Sequence, residues 1–232
     1  MAVHRAAATS LLLLLALAML GRPARAATSD WAREAHGAAR LISAVEATGS
    51  SAQLYVGLQL RLSPGWHTYW RTPGDAGVAP AIEWKGSENL AGAEVDWPAP
   101  RRLPSLGGLE TVGYEDEVVL PIAVRLAHAG AALHLHAEVD YASCRDICIP
   151  YHASLDLALP PGIARPGPEA PLLAVAHARA PGSLAAAQLK LAGVVVGGGK
   201  GNAVLSLRLL STGAPLYSPD AFVERVATGS AG

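Results

Sequence analysis

The chain carries two cysteines, and they stand close together in the stretch Tyr141-Ala142-Ser143-Cys144-Arg145-Asp146-Ile147-Cys148-Ile149-Pro150. Three intervening residues leave a span short enough to bridge where the Cβ vectors converge. A ring that small adds only about 2 kcal/mol through chain entropy, against about 4.7 kcal/mol for a 100-residue loop. A structural disulfide does more when it joins distant strands. A small ring on a turn is better suited to opening and closing, because a visiting thiolate can reach its sulfur. Arg145 favours a thiolate and Asp146 opposes it. Pro150 cannot donate to a ladder and is expected to free the local backbone from a sheet.

From the residues alone, three readings of the pair stay open: a redox-active dithiol, a permanent structural bridge, and a metal site. The metal reading adds His152, spaced four residues beyond Cys148, and soft thiolates with imidazole suit Cu(I) or Zn(II). Pro150 interrupts the continuous helix that such a spacing needs. His134 and His136 alternate with Leu133 and Leu135 and are expected to face solvent. No G-x-S-x-G and no H-E-x-x-H is present. Glu115-Asp116-Glu117 and the pair Arg101 and Arg102 read as surface features.

The elements that must hold the pair read as strands. Leu54 to Leu62 alternates apolar and polar residues, with Leu54, Val56, Leu58, Leu60 and Leu62 on a core face and Gln59 and Arg61 toward water. Further strands are expected at 41–46, 67–71, 82–84, 94–97, 118–126, 133–141 and 151–159. Gly, Pro, Asn and Asp punctuate them, as in Ser63-Pro64-Gly65 and Thr72-Pro73-Gly74-Asp75. Many short strands without intervening helices indicate an all-β antiparallel sandwich over 27–160. The cysteines then fall at the end of a hairpin or on one turn of a short helix. Trp66, Trp70, Trp84 and Trp97 are read as core and edge packing, with N–H groups that need partners when buried.

Residues 161–168 are rich in Pro and Gly and read as a linker. Beyond it, 169–232 reads as a small, incomplete α+β unit, with a helix over 169–180 and strands over 188–196 and 203–210. Between those strands, Gly197 to Asn202 lacks the phosphate-loop spacing and is a hairpin turn. At the other end, Arg5, the apolar run 11–20 and Ala24-Arg25-Ala26 have the order of a secretory signal peptide over 1–26. The apolar run is about half of the ~20 residues a spanning helix needs. No other segment is long and apolar enough, so the mature chain is expected outside the cytoplasm with no transmembrane helix of its own. A formal net charge of −1 and no basic patch argue against nucleic acid as a partner.

The cysteine stretch, together with Gly65-Trp66-His67-Thr68-Tyr69-Trp70, Gly74-Asp75-Ala76-Gly77 and Gly113-Tyr114-Glu115-Asp116-Glu117, resembles the N-terminal periplasmic domain of the thiol:disulfide interchange protein DsbD. It is most similar to the variant in the ScsB-type copper-sensitivity suppressors. The resemblance runs from about Arg40 to Pro160. It implies an immunoglobulin-like sandwich in the periplasm that acts in protein-disulfide reduction. Such a domain takes electrons from a thioredoxin-like domain or protein, fed through a membrane partner, and passes them to disulfide-containing periplasmic proteins without a cofactor. Carried over, Cys148 matches the cysteine that forms mixed disulfides and Cys144 the one that closes the intramolecular bridge. The family's cap loop corresponds to Tyr114, Glu115, Asp116, Glu117, Val118 and Val119. DsbD itself has more residues between its cysteines, and aromatic cap residues where this chain has Val118 and Val119.

Overall fold

A computed structural model of the chain describes residues 27–103, 109–199, 202–217 and 219–223. The expected signal segment 1–26, the tip of the glycine-rich turn and the last residues of the tail lie outside the described residues. Thirteen strands and one helix are described: β1 Ala32–Arg33, β2 Gly37–Ser43, β3 Gln53–Leu62, β4 His67–Gly74, β5 Ala81–Glu83, β6 Leu90–Val95, β7 Arg101–Leu103, β8 Thr111–Glu115, β9 Glu117–Leu126, β10 Leu133–Cys144, β11 Cys148–Leu159, α1 Ala170–Ala178, β12 Leu189–Gly199 and β13 Asn202–Ser211.

Two sheets face each other. One has the order β1-β2-β3-β9-β6. The other has the order β11-β10-β4-β8-β7, with β5 attached to β10. The pairings within both are antiparallel, which is the immunoglobulin-like sandwich the strand pattern and the resemblance imply. Alternate residues of each strand point inward. Leu41, Val56, Leu58, Leu60, Leu120 and Ile122 of the first sheet meet Leu133, Leu135, Val139, Leu157 and Leu159 of the second, all at most 1% exposed. Three strands were not foreseen in the sequence: the short β1, β7 and β8. Gly113 lets β8 lie against β4, since a Cβ there would overlap the Thr68 carbonyl oxygen.

Gln59 departs from its expected place. It does not face water but is 1% exposed. Arg40 Nε donates to its side-chain Oε1 at 2.6 Å, its side-chain Nε2 donates to Glu117, and Arg40 continues to Glu169 at 2.8 Å. Arg61 keeps its exposed position. The cover is α1, which lies on the outer face of β3 and β9. Leu173 and Ala176 pack there against Ile42 and Val119. Gly57 makes room beneath, because a Cβ at that position would run into Leu173. The helix therefore packs with the sandwich, although in the sequence it groups with the C-terminal unit.

The proline-rich segment before the helix is also tied down. Thr48 N donates to Pro160 O at 3.1 Å, Glu46 N to Arg165 O at 3.0 Å and Gly167 N to Ala44 O at 2.9 Å. By contrast, β12 and β13 form a two-stranded sheet of their own, with Val194, Val195, Val196, Leu205 and Leu207 exposed.

The packing of α1 is testable. Leu173→Ala should lower unfolding free energy by about 2–4 kcal/mol, the usual range for a buried leucine, in urea denaturation followed by tryptophan fluorescence. Leu207→Ala on the exposed hairpin should change it by no more than about 0.5 kcal/mol. Equal effects would mean that α1 is not part of the folded sandwich.

Candidate redox site

The β10–β11 hairpin sets the positions of the two cysteines. Its register is unbroken from Leu133↔Leu159 to Cys144↔Cys148. The last rung therefore places the cysteines opposite each other, with Cα atoms 4.1 Å apart, and they are joined as a disulfide. Arg145, Asp146 and Ile147 make the turn, and Arg145 N donates to Ile147 O at 3.0 Å. The hairpin alternative read from the sequence is the one found, and the short helix is not. Pro150 also departs from expectation. It does not free the backbone but pairs with Ala142 inside β11. This is possible because β11 is an edge strand, where a missing N–H costs no ladder bond.

Period-two alternation puts the pair on the outer face of its sheet. Leu133, Leu135, Ala137, Val139 and Tyr141 of β10 enter the core. Ala142 and Cys144 instead form a separate small cluster with Tyr69 of β4. The two residues differ in access: Cys144 is 1% exposed, whereas Cys148 is exposed. An incoming group meets Cys148 first.

Tyr69 lies against the bond. Its hydroxyl is 3.1 Å from the Cys144 sulfur and 3.1 Å from the Cys148 sulfur. Sulfurs in a disulfide carry no proton, so the hydroxyl is the donor. Burial raises the Tyr69 pKa above its ordinary value. Gly77, at φ +128°, seats the β4–β5 loop on this ring, and any Cβ there would overlap it. His67 meets the same ring edge-on, with centroids 5.5 Å apart, and pairs with Cys144 across the β4–β10 ladder. Its pKa is lowered by burial, which outweighs the nearby Glu115 carboxylate.

Arg145 is not aimed at sulfur. It pairs with Asp146 at 2.9 Å and lies 5.6 Å from the ring centroid of Trp66. Trp66 in turn stacks on His36 at 4.0 Å. Trp70 is in the core, where its N–H finds no hydrogen-bond partner. Trp84 and Trp97 pack against the core from its margin.

Tyr114 to Val119 make the passage from β8 to β9. Tyr114, Val118 and Val119 are buried, while Glu115, Asp116 and Glu117 are exposed. The Tyr114 hydroxyl donates to Pro98 O at 2.8 Å. The segment approaches the cysteines through Glu115, which pairs with His67. With Leu172, Val175 and Arg179 it also lines a cleft of about 760 Å³.

His152 is held away from the sulfurs. It lies four residues along β11 from Cys148, about 13 Å at the usual strand rise. Its ring nitrogens meet Asp140 at 2.7 Å and Glu138 at 2.8 Å. The Asp140 hydrogen bond, then Glu138, raise its pKa. His134 and His136 are on the same outer face, as alternation predicts. His136 sits between Asp156 at 2.9 Å and Glu138 at 3.0 Å, and these raise its pKa. Burial acts against the Glu138 charge, but hydrogen bonds from His136, Ser154 and His152 prevail and lower its pKa. Among the described residues, no group of three or more His, Cys, Asp or Glu is arranged to hold a metal ion. Arg102 bonds Asp220 at 3.0 Å and Glu110 on the surface.

Tyr69, His67 and Gly77 were not singled out as site residues in the sequence. The available signal was parity: in His67-Thr68-Tyr69-Trp70, positions 67 and 69 share a face opposite the core-facing Trp70.

Closing so short a ring adds about 2 kcal/mol. Reduction with dithiothreitol should therefore leave the sandwich cooperatively folded, with unfolding free energy lowered by about that amount in urea titration. Loss of the cooperative transition would mean that the bridge holds the fold together.

No curated protein sequence matches the chain. The crystal structure of the N-terminal periplasmic domain of ScsB from Proteus mirabilis is similar, with a TM-score of 0.62 and 27% identity over 78% of this chain and 69% of that one. The N-terminal domain of Neisseria meningitidis DsbD in its reduced form is 16% identical over 64% of this chain and 92% of that one, with a TM-score of 0.29 that adds nothing further. Family and cysteine pair together support thiol–disulfide exchange as the general chemistry. Residues 38–160 match the family of the thiol:disulfide interchange protein DsbD, N-terminal, and the chain belongs to that family.

Proposed function

We propose that the protein is a periplasmic thiol–disulfide exchange module that relays reducing equivalents to other proteins through Cys144 and Cys148. The observation that carries this reading is the unequal access to one bond. Residue Cys148 is exposed and residue Cys144 is 1% exposed, so a visitor reaches the bond from the Cys148 side. In the reduced protein the Cys148 thiolate attacks a partner disulfide and forms a mixed disulfide. Cys144 then attacks Cys148, restores the bridge and releases the partner with its disulfide reduced. A dithiol donor of the thioredoxin-like kind recharges the pair by the reverse steps.

The periplasmic place is supported by the similarity to a periplasmic domain. Among the described residues no helix is long and apolar enough to cross a membrane. The Tyr114–Val119 segment would then serve as the cap that a docking donor displaces, a reading supported by the pairing of its Glu115 with His67, the neighbour of Cys144.

Cys144→Ser should accumulate mixed disulfides with partner proteins on non-reducing gels, and Cys148→Ser should give none. Equal trapping by both would reverse or abolish the assigned roles. His152→Ala should leave the exchange rate within about twofold, since both its ring nitrogens are engaged with carboxylates. A large loss would bring the imidazole into the chemistry. A measured reduction potential below about −300 mV would make the bond a permanent one and end the relay reading.

A further inference from the structure

We infer that Tyr69 is a catalytic residue of the exchange step, its hydroxyl donating a hydrogen bond to the Cys144 sulfur as that sulfur leaves as a thiolate. The inference rests on the exchange reading above and adds to it the group that stabilises the leaving atom.

The need arises from burial. When a partner thiolate attacks the exposed Cys148 sulfur, a new bond forms between the partner's sulfur and Cys148. The Cys144–Cys148 bond breaks, and its electron pair goes to Cys144. Cys144 is 1% exposed as a residue, so solvent does not stabilise the new charge, and an unpartnered buried anion is costly. The Tyr69 hydroxyl already sits 3.1 Å from it. Its proton stays on oxygen, as the raised Tyr69 pKa favours, so the hydroxyl acts as donor without being consumed. The second thiolate of the partner dithiol then attacks the partner's own sulfur in the mixed disulfide. Cys148 leaves as a thiolate, and two electrons have passed from partner to protein. The same hydroxyl is 3.1 Å from Cys148 and can serve that departure too.

Other charged or titratable groups lie on the elements around the pair. From β4 there is His67, whose lowered pKa leaves it neutral near pH 7. From β8 there is Glu115, the cross-strand partner of His67. From the turn there are Arg145 and Asp146, which neutralise one another. Among the described residues, Tyr69 is the side chain hydrogen-bonded to the two sulfurs. Its ring is held by the His67 edge and by the backbone at Gly77, so the donor is fixed before the charge appears.

The test uses the full chain and dithiothreitol as the attacking dithiol. Tyr69→Phe should reduce at least about tenfold more slowly than the unmodified protein, the weight of one hydrogen bond to a charged group. In a Cys148→Ser background, Tyr69→Phe should also move the pH midpoint of Cys144 alkylation by iodoacetamide up by about one unit. Tyr151→Phe, which loses the hydroxyl that His36 N meets at 3.3 Å, should change neither. The thermal midpoint of the oxidised protein reports whether Tyr69→Phe folds. Should it not fold, 3-fluorotyrosine placed at position 69, a stronger donor of nearly the same shape, should shift the Cys144 midpoint downward. An unchanged rate with an unchanged alkylation profile overturns the assignment, as does an unmoved midpoint in the fluorinated protein. Because the probe is a small thiol, these results decide the role of Tyr69 even if partner trapping fails and the relay reading falls.

Discussion

The register of one antiparallel hairpin governs the site. Cys144 and Cys148 face each other because β10 and β11 pair without a bulge along their described length. A slip of one residue would turn every side chain of a strand to the opposite face. The core resists such a slip. Leu133, Leu135, Ala137 and Val139 on β10 and Ala153, Leu155, Leu157 and Leu159 on β11 are all at most 3% exposed. Each such leucine contributes on the order of 1.5–3 kcal/mol by leaving water, so that together they outweigh the ring itself. The disulfide is thus a consequence of the sandwich and not its support, and opening it leaves both strands in place.

The same alternation that fixes register sends the reactive pair outward, and an outward sulfur on an edge hairpin would normally be wet on both atoms. Here β4 intervenes. Its Tyr69 ring, pressed by Gly77, closes over Cys144 and leaves Cys148 open. The resulting asymmetry comes from packing and not from charge. Arg145, the cation nearest in sequence, is spent on Asp146 and the Trp66 ring. A neutral hydroxyl remains as the polar contact to sulfur.

Much of this was legible in the sequence, for a physical reason in each case. The long strands announce themselves by period-two alternation, and the hairpin follows from two such runs flanking the cysteines. The family resemblance came from the motif stretches. What was hidden depended on separation along the chain. Tyr69 and Cys144 are 75 positions apart, and no spacing rule joins them. β8 was hidden because Gly113 breaks its alternation, although that glycine is what lets it lie on β4. Gln59 looked like a solvent position because its strand alternates cleanly. Its burial comes from α1 and the Arg40–Glu169 pair, which lie more than 100 residues downstream in part.

Pro150 takes on a different meaning once β11 is seen to be an edge. Exposed edges invite pairing with another chain's strand, and a hairpin proposed to receive partner proteins at Cys148 is open to that hazard. Pro150 offers no N–H to such a strand. Past it, His152 and Asp156 are charged or paired to charge, which further discourages a flat intruding strand. Contact at this hairpin is therefore biased toward the sulfur and away from the backbone. A visitor held by one exchangeable bond can leave when Cys144 closes the ring, whereas one added to the sheet would stay. Under the exchange reading proposed above, the proline beside the pair thus favours the reversibility that exchange requires.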